Sequence, residues 1–287
     1  MKLQLLSDLH LETHPHFHPL AAPQADLLVL AGDIGSYQSG SALTASGEAD
    51  FGLARFSPLR GWPVPVLFVP GNHEYDGLDF DEAHLRLRDT CERLGIVWLE
   101  REQHICHGVR FVGTTLWSDF DALGPLAANQ PPAASALAHA LALQSQARGK
   151  AMRAANHYLR KTGTTRQGQP WLAEQVREQA LLCQQWLRNA LSQPHDGPTV
   201  VVTHFAPTLR SADPRYGLTP GTAGFCNALD ALMPKAQWWL HGHLHCAIDH
   251  TEQGCRVRAN PLGYARKGEQ VGFVPQLCID LAAKVPC

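Results

Sequence analysis

The chain of 287 residues contains no stretch of about 18 consecutive apolar residues, the length that a membrane-spanning helix requires. Its first apolar residues reach Asp8 too early for a signal peptide, so we expect a cytoplasmic protein without a membrane partner. Charge is also scarce, since charged residues make up 17% of the chain and the net charge is −2. This balance gives no reason to expect specific nucleic-acid binding.

The eight cysteines form no CxxC pair, which argues against a zinc ribbon or a redox motif. We therefore expect reduced, mostly buried thiols. With 45% hydrophobic residues, the chain is long enough to bury a large core. The sequence predicts a single domain over residues 1–287 and leaves the oligomeric state open.

Acidic residues are absent from residues 122–173, an alanine-rich segment of largely helical composition. We interpret it as an insertion that forms a cap. Its positive charge would attract a phosphate or a nucleotide, but a solvent-exposed helix face would have the same composition. The segment contains six cationic residues, Arg148, Lys150, Arg153, Arg160, Lys161 and Arg166.

Short apolar runs that end in glycine or a polar residue alternate with helical patterns in the first half of the chain. Residues 3–7, 26–32, 64–71 and 96–100 are typical of strands buried on both faces. Between the last two, residues 79–95 predict a helix that ends at Gly95, with an apolar stripe. The stripe consists of Leu85, Leu87, Cys91 and Leu94.

The second half has a different pattern. Residues 104–117 predict a hairpin that turns at His107 and Gly108, and further strands are predicted at 199–204, 236–242, 255–260 and 276–280. Residues 36–50 are predicted to form a loop. Together the patterns favour an α/β fold with two sheets packed face to face and helices outside.

Polar residues follow five of the predicted strands. The carboxyl ends of strands in an open α/β sheet converge on one crevice, so we expect these side chains to meet. They are Asp8, His10, Asp33, Asn72, His73, His204, His243 and His245.

Carboxylate, amide and imidazole ligands without thiolates favour a metal such as Mn, Fe or Zn. The set is too large for one four-coordinate zinc ion, but it suits two divalent transition-metal ions that share a carboxylate, and we favour Mn or Fe over Zn. Two such ions about 3.5–4 Å apart can hold a hydroxide and assist an in-line displacement at phosphorus. The ligands therefore predict the hydrolysis of a phosphoester.

The same residues carry a resemblance to the calcineurin-like metallophosphoesterase superfamily. Its motifs are DxH, GD, GNH followed by an acid, H, and GHxH; they stand here as DLH, GD, GNHE, TH and GHLH, between residues 8 and 245. The resemblance implies a four-layer α/β/β/α sandwich of two mixed sheets flanked by helices, with the metal site at the strand ends.

Residue roles follow from this resemblance. It implies that one metal is held by Asp8, His10 and His245. The other would be held by Asn72, His204 and His243, with Asp33 as the bridge. His73 would instead be a catalytic group that stabilises the transition state or protonates the leaving oxygen, with Glu74 orienting it.

Histidines at every second position, His241, His243 and His245, would share one face of a strand. The resemblance uses only the last two of them. For His241 we favour a hydrogen-bonded position at the strand end, or support of a ligand, over a direct ligand role.

The expected activity is that of a phosphodiesterase acting on small nucleotide-like or aryl diesters. A phosphomonoesterase acting on nucleotides or proteins is the nearest alternative, and a metal-dependent amidase or a non-catalytic metal-binding scaffold also remains open. We expect loops bordering the crevice to contain Tyr37, His84, Phe205, Arg210, Arg215 and Tyr216.

Overall fold

The structure is a computed structural model that describes residues 1–125 and 136–282. Within these ranges, helices α1 to α4 comprise Ala42–Ala45, Phe80–Leu94, Leu137–Thr162 and Ala173–Ser192. Strands β1 to β13 comprise Lys2–Leu6, Leu27–Ala31, Val66–Val69, Val97–Trp98, Glu102–Cys106, Val109–Thr114, Thr165–Arg166, Gln169–Pro170, Thr199–Thr203, Trp238–His241, Ile248–Glu252, Cys255–Ala259 and Cys278–Asp280.

Two mixed sheets form the centre of the fold. The first has the order β13-β1-β2-β3-β4, in which only β13 runs antiparallel to its neighbour. The second has the order β11-β12-β10-β9-β6-β5, with four parallel inner strands and an antiparallel strand at each edge. The predicted pair of mixed sheets is confirmed.

Apolar side chains on the inner faces pack the two sheets against each other. Leu5 and Val29 of the first sheet share a buried cluster with Phe111 and Val202 of the second. Neighbouring residues on each strand point the other way, towards the helices, which is why the strands read as continuous apolar runs. The outward cluster contains Leu28 and Phe68 with residues of α2, and Val201 and Trp239 with residues of α4. The four-layer sandwich is therefore confirmed.

Helix α2 begins and ends where the sequence predicts. The Asp79 side chain accepts hydrogen bonds from the first-turn N–H groups of Asp81 and Glu82, and Gly95 ends the helix with a φ of 67°. The predicted stripe is wrong at one position, because Leu85 is 68% exposed. The face that packs on the core contains Leu87, Cys91 and Leu94.

Three other features of the fold show where the sequence predictions succeed and where they fail. The hairpin is confirmed, since β5 and β6 pair antiparallel with Cys106 opposite Val109. Strand β11 was not predicted, because its sequence IDHTE is polar and only partly buried at the sheet edge. The predicted loop at 36–50 contains the short helix α1, whose Leu43 is buried.

Most of the described part of the acid-free segment is helix α3; residues 126–135 of that segment lie outside the described residues. The helix packs against residues 220–224 and against α4. Acids from outside the acid-free segment pair with two of the segment's cations: Arg148 of α3 contacts Asp121, and Arg166 of β7 contacts Asp81. The remaining cations of the set are exposed. A role of this segment as a cap stays a prediction.

In the described part of the chain, no helix combines the length and the apolar character that crossing a membrane would require.

Candidate metal centre

The eight polar residues that follow the strands come together at one edge of the sandwich. Strands β1, β2 and β3 of the first sheet and β9 and β10 of the second end there. Two groups of side chains offer ligand atoms that lie within 4.8 Å of one another. The first, which we call the first ligand group, is Asp8, His10, Asp33 and His245, and the other is Asp33, His204 and His243. Because Asn72 Oδ1 lies 3.2 Å from His204 Nε2, we add Asn72 to the latter and call these four residues the second ligand group.

The backbone of these loops adopts the left-handed conformation that L-residues usually avoid. Asp8, His10, Asp33, His243 and His245 have φ values of 52°, 47°, 55°, 72° and 48°. Each such residue costs about 1–2 kcal/mol, and strained residues of this kind concentrate at functional sites. Strand β10 ends at His241, so the alternating histidines do not share a strand face, and the loop conformation brings two of them to the site.

Glycine is required where these loops approach one another closely. A Cβ atom at Gly242 would lie 2.6 Å from Asp8 Oδ2 and 2.9 Å from the carbonyl oxygen of Ala31. At Gly71, a Cβ atom would collide with the Asp33 side chain and backbone. The glycines of GHLH and GNHE therefore allow the acidic ligands to lie directly against the neighbouring backbone.

In the first ligand group, the imidazoles of His10 and His245 face each other with 3.0 Å between their Nε2 atoms. The other ring nitrogen of His245, Nδ1, lies 2.5 Å from Glu269 Oε2, and that of His10 lies 2.9 Å from Glu12 Oε1. Although burial opposes it, the hydrogen bonds from His245 and from the Tyr264 N–H lower the pKa of Glu269 to about 2, so its carboxylate is ionised and His245 Nδ1 donates to it. Burial raises the pKa of Glu12 to about 7, so the proton between Glu12 and His10 Nδ1 can be carried by either partner. If both rings are neutral with the proton on Nδ1, each Nε2 atom presents a lone pair to the other ring, a repulsion that a metal ion or a second proton on one ring removes.

In the second ligand group, His204 Nδ1 donates to the carbonyl oxygen of Ala31 at 2.8 Å. Its Nε2 atom lies 3.1 Å from Asp33 Oδ2 and 3.2 Å from Asn72 Oδ1. In the neutral ring, three acceptor atoms would therefore meet without a proton between them. This arrangement is repulsive unless a cation, or a second proton on the ring, lies among them.

Unpaired buried atoms indicate that protons alone do not satisfy the site. Asp8 Oδ2 and His243 Nε2 are buried without a hydrogen-bond partner among the described residues. Such atoms cost free energy unless a ligand compensates them. The side chains therefore fit two metal ions with Asp33 between them, and oxygen and nitrogen donors without thiolates suit Mn, Fe or Zn.

The electrostatic environment of the rings is consistent with this fit. Burial, reinforced by neighbouring histidines, lowers the pKa of His10 and of His243 well below its usual range, which leaves neutral rings that can donate lone pairs. Although burial opposes it, the carboxylates of Asp8 and Glu269 raise the pKa of His245 to about 9. The negative charge that favours a proton there favours a metal cation equally.

His73 lies beside the two groups without belonging to either. Its backbone N–H donates to Asp33 Oδ1 at 2.8 Å, and its ring centroid is 5.0 Å from that of His10. Its Nδ1 atom is 2.6 Å from Asp76 Oδ2, and the side chain is 23% exposed. Against the effect of burial, Asp76 and Asp33 hold the pKa of His73 well above its usual value. The ring can therefore carry a proton at the edge of the site.

The expectation that Glu74 orients His73 is wrong. The Glu74 carboxylate accepts hydrogen bonds from the backbone N–H groups of Gly71, Asp33 and Ile34. It thus holds the loops after β2 and β3 together. Asp76, one 3₁₀ turn after His73, is within hydrogen-bond distance of the ring at Nδ1.

His241 lies outside both ligand groups. It is fully buried at the end of β10, where Nδ1 donates to the carbonyl oxygen of Gly242 at 2.9 Å and Nε2 accepts from the Ser211 hydroxyl at 3.1 Å. The hydrogen-bonded position at the strand end is therefore what the structure shows.

Of the residues expected to border the crevice, Phe205 packs against a ligand: its ring stacks on His243 with centroids 4.0 Å apart. His84 instead contacts the Tyr75 hydroxyl and the Trp98 ring on the inner side of α2. Two arginines are engaged by acids, Arg210 by Glu252 and Arg215 by Asp213. Tyr37 accepts a hydrogen bond from the N–H of Phe51, and Tyr216 is exposed.

Sequence reasoning missed five residues at the site, namely Glu12, Asp76, Phe225, Tyr264 and Glu269. A local signal existed for Asp76, which is three residues after His73, and for Glu12, which is two residues after His10. Phe225 lies 5.4 Å from His243 between ring centroids, and Tyr264 lies 4.3 Å from His10. No sequence motif connects Phe225, Tyr264 or Glu269 to the ligands.

Comparison with known proteins agrees with this geometry. Residues 1–247 match the model of the calcineurin-like phosphoesterase family, so the chain belongs to that family. Uncharacterized protein L509 of Acanthamoeba polyphaga mimivirus is 25% identical over 230 residues, which cover 75% of this chain and 73% of that protein.

Among solved structures, the chain is similar to the Phosphopantetheinyl Hydrolase (PptH) of Mycobacterium tuberculosis. The TM-score is 0.65 and the identity 23%, and the likeness covers 94% of this chain and 92% of that one. At this identity, the comparison supports the fold.

Proposed function

We propose that this protein hydrolyses phosphodiesters with two divalent metal ions, held by the first and second ligand groups. The observation that carries the proposal is the meeting of acceptor atoms at Asp33. The Ala31 carbonyl holds one proton of His204 on Nδ1, and Nε2 lies against oxygens of Asp33 and Asn72. Although burial opposes it, Asp33 and Asp8 raise the pKa of His204 to about 9, and the same negative charge favours a metal cation. When bound, the metals supply positive charge for the phosphate oxygens and lower the pKa of a water molecule.

The chain itself supplies the remaining chemistry. Asp33 is proposed to contact both ions, because it belongs to both ligand groups. His73 is proposed to donate its Nε2 proton to the departing ester oxygen, while Asp76 holds Nδ1 and thereby fixes the ring. The partial exposure of His73 leaves this ring accessible to a substrate.

The surroundings of the site support a diester rather than a monoester. Phe225, which is 42% exposed, flanks the second ligand group and offers an apolar surface for an organic ester group. On the other side, the side chains of Arg266 and Lys267 lie over the Tyr264 ring and add positive charge suited to a nucleotide-like group. A diester has an organic group on each side of phosphorus.

The structural relative sharpens the choice of test substrates. That protein is named a phosphopantetheinyl hydrolase. Since phosphopantetheinyl groups are joined to protein hydroxyls by phosphodiester bonds, a carrier protein with this group belongs in the panel. We propose it as one candidate of the diester class beside nucleotide and aryl diesters.

A substrate panel with protein stripped of metal and reloaded with Mn, Fe or Zn tests the proposal. We expect bis-p-nitrophenyl phosphate to be hydrolysed faster than p-nitrophenyl phosphate, with no turnover before metal is added. Faster turnover of the monoester would favour the phosphomonoesterase. Turnover of a p-nitroanilide alone would favour an amidase, and two bound metals without any turnover would favour a binding scaffold.

The metal count requires a matched control, because His16 and His18 near the N-terminus are exposed and imidazole binds metals readily. The double variant His16→Ala and His18→Ala should retain two bound ions and the substrate preference of the parent. Loss of one ion in this variant would show that the metal count includes surface binding.

A further inference from the structure

Residues 260–269, which we call the C-terminal strap, reach the metal centre although they lie beyond all five motifs and beyond the family match that ends at residue 247. The strap is tied to the loop after β1: the N–H of Leu262 donates to the carbonyl oxygen of Ser7 at 3.1 Å, and that of Gly263 to the carbonyl oxygen of Asp8 at 3.0 Å. Its backbone is thus fixed beside the first ligand group.

Glu269 connects the strap directly to a proposed ligand. Its Oε2 atom accepts from His245 Nδ1 at 2.5 Å and from the backbone N–H of Tyr264 at 2.9 Å. The side chain is 10% exposed, so water competes little for these bonds. The contact holds the His245 ring with Nε2 facing His10 Nε2 at 3.0 Å and Asp8 Oδ1 at 3.4 Å.

Tyr264 closes the same side of the site. Its ring stacks on His10, with centroids 4.3 Å apart and an angle of 29° between the planes, and meets His245 edge to face at 5.1 Å. The residue is buried, with 8% of its surface exposed. Both histidines of the first ligand group therefore lie against the strap.

We propose that Glu269 is a positioning residue of the metal centre, and that the C-terminal strap completes the first ligand group. A carboxylate that accepts from the far nitrogen of a metal-binding histidine fixes the tautomer and the orientation of the ring, and it makes the near nitrogen a stronger donor. The inference rests on the proposed metal centre and extends it to residues outside the family motifs.

The variant Glu269→Gln separates positioning from simple packing. The glutamine amide has nearly the same size and its oxygen can still accept a hydrogen bond, so a purely structural role predicts little change. Loss of the charge, in contrast, should weaken metal binding at one of two positions by about 10–100-fold, the range found when such supporting residues are mutated.

The measurement is a Mn²⁺ and a Co²⁺ titration of metal-free full-length protein against a competing chelator, with the melting temperature of the metal-free protein recorded in parallel. For Glu269→Gln we expect the binding of one metal ion to be weakened and the binding of the other to be unchanged; we call these the two binding steps. The visible spectrum of the Co²⁺ form should be altered, and the melting temperature of the metal-free protein should not change. The matched control is Glu92→Gln, which alters an exposed glutamate on α2 and should change none of these.

The outcomes distinguish this inference from the function it rests on. If the parent protein binds fewer than two ions, the proposed metal centre itself is wrong. If the parent binds two and Glu269→Gln binds both as tightly, the role of Glu269 is refuted. An equal weakening of both steps with a lower metal-free melting temperature would also refute it, because that is the result of general destabilisation.

A second variant keeps the test decisive if Glu269→Gln fails to fold. Glu269→Asp retains the charge but is one methylene shorter, so its carboxylate can no longer reach the His245 ring at hydrogen-bond distance with the present backbone. Relative to the parent protein, it should weaken the binding of one ion and leave the binding of the other unchanged. Unchanged affinity in Glu269→Asp would count against the inference.

Discussion

The two ligand groups share Asp33 but support their histidines in different ways. In the first, the outer nitrogens of His10 and His245 contact the carboxylates of Glu12 and Glu269. In the second, His204 donates to a backbone carbonyl, and His243 is flanked by the rings of Phe205 and Phe225. The first group thus has carboxyl support, which is charged at Glu269, and the second has neutral and aromatic support.

This difference indicates a division of tasks between the two sides. Carboxylate support increases the basicity of an imidazole ligand, so we expect the first ligand group to hold its metal more tightly. The side of the second ligand group, which we call the aromatic side, contains the partly exposed Phe225 and is better suited to contact an organic group of the substrate.

Asp33→Asn should have the largest effect, because Asp33 is the residue that both groups share. The amide has lost the negative charge and offers one oxygen, so affinity should fall for both ions. We expect turnover to decrease by more than about 10³-fold, equivalent to several kcal/mol of lost transition-state stabilisation. Metal analysis together with bis-p-nitrophenyl phosphate kinetics checks this; two tightly bound ions in the variant would contradict a shared carboxylate.

His245→Ala and His204→Ala should each remove one ion and leave the other. Each variant deletes one imidazole from a single group, so the count of bound metals should fall from two to one, with the affinity of the affected position lowered by more than about 100-fold. Equilibrium dialysis followed by elemental analysis measures the counts. Since the first group has charged support, the ion retained in His204→Ala should be held more tightly than the one retained in His245→Ala; the reverse order would contradict the comparison.

His73→Ala should retain both ions, because His73 belongs to neither ligand group. Its loss should slow hydrolysis by about 10²-fold for esters with poorly leaving alcohols, the lower end of the range for a general acid. For p-nitrophenyl esters the loss should be smaller, because this leaving group departs without a proton. Rates for a series of leaving groups measure the effect, and an equal loss across the series would exclude the proposed proton donation.

Phe225→Ala should have the smallest effect, confined to the aromatic side. Removing the partly exposed ring should raise KM for aryl diesters by about fivefold, which corresponds to the loss of about 1 kcal/mol of apolar contact. Metal affinity and kcat should stay close to those of the parent. Kinetics with an aryl and a methyl diester provide the measurement; an equal rise in KM for both substrates would show that Phe225 does not contact the aryl group.

Sequence patterns by themselves determined the fold class and the residues of the candidate centre. Runs buried on both faces and a helix with Asp79 and Gly95 at its ends follow from local propensity and periodicity. The motif residues could be found because they directly follow predicted strands and because the residues within each motif are close together in the sequence. Their meeting at one edge then follows from the parallel course of the strands.

Tertiary structure decided how the candidate centre is supported. Glu74 holds backbone N–H groups, Asp76 contacts His73, and Glu269 contacts His245 from 24 residues away. Likewise, Asp121 neutralises a cation of the acid-free segment. Except for Asp76, which has a local signal three residues after His73, these partners could not be read from the sequence, because a buried carboxylate pairs with whichever donor the packed chain brings within about 3 Å of it, irrespective of its distance along the chain.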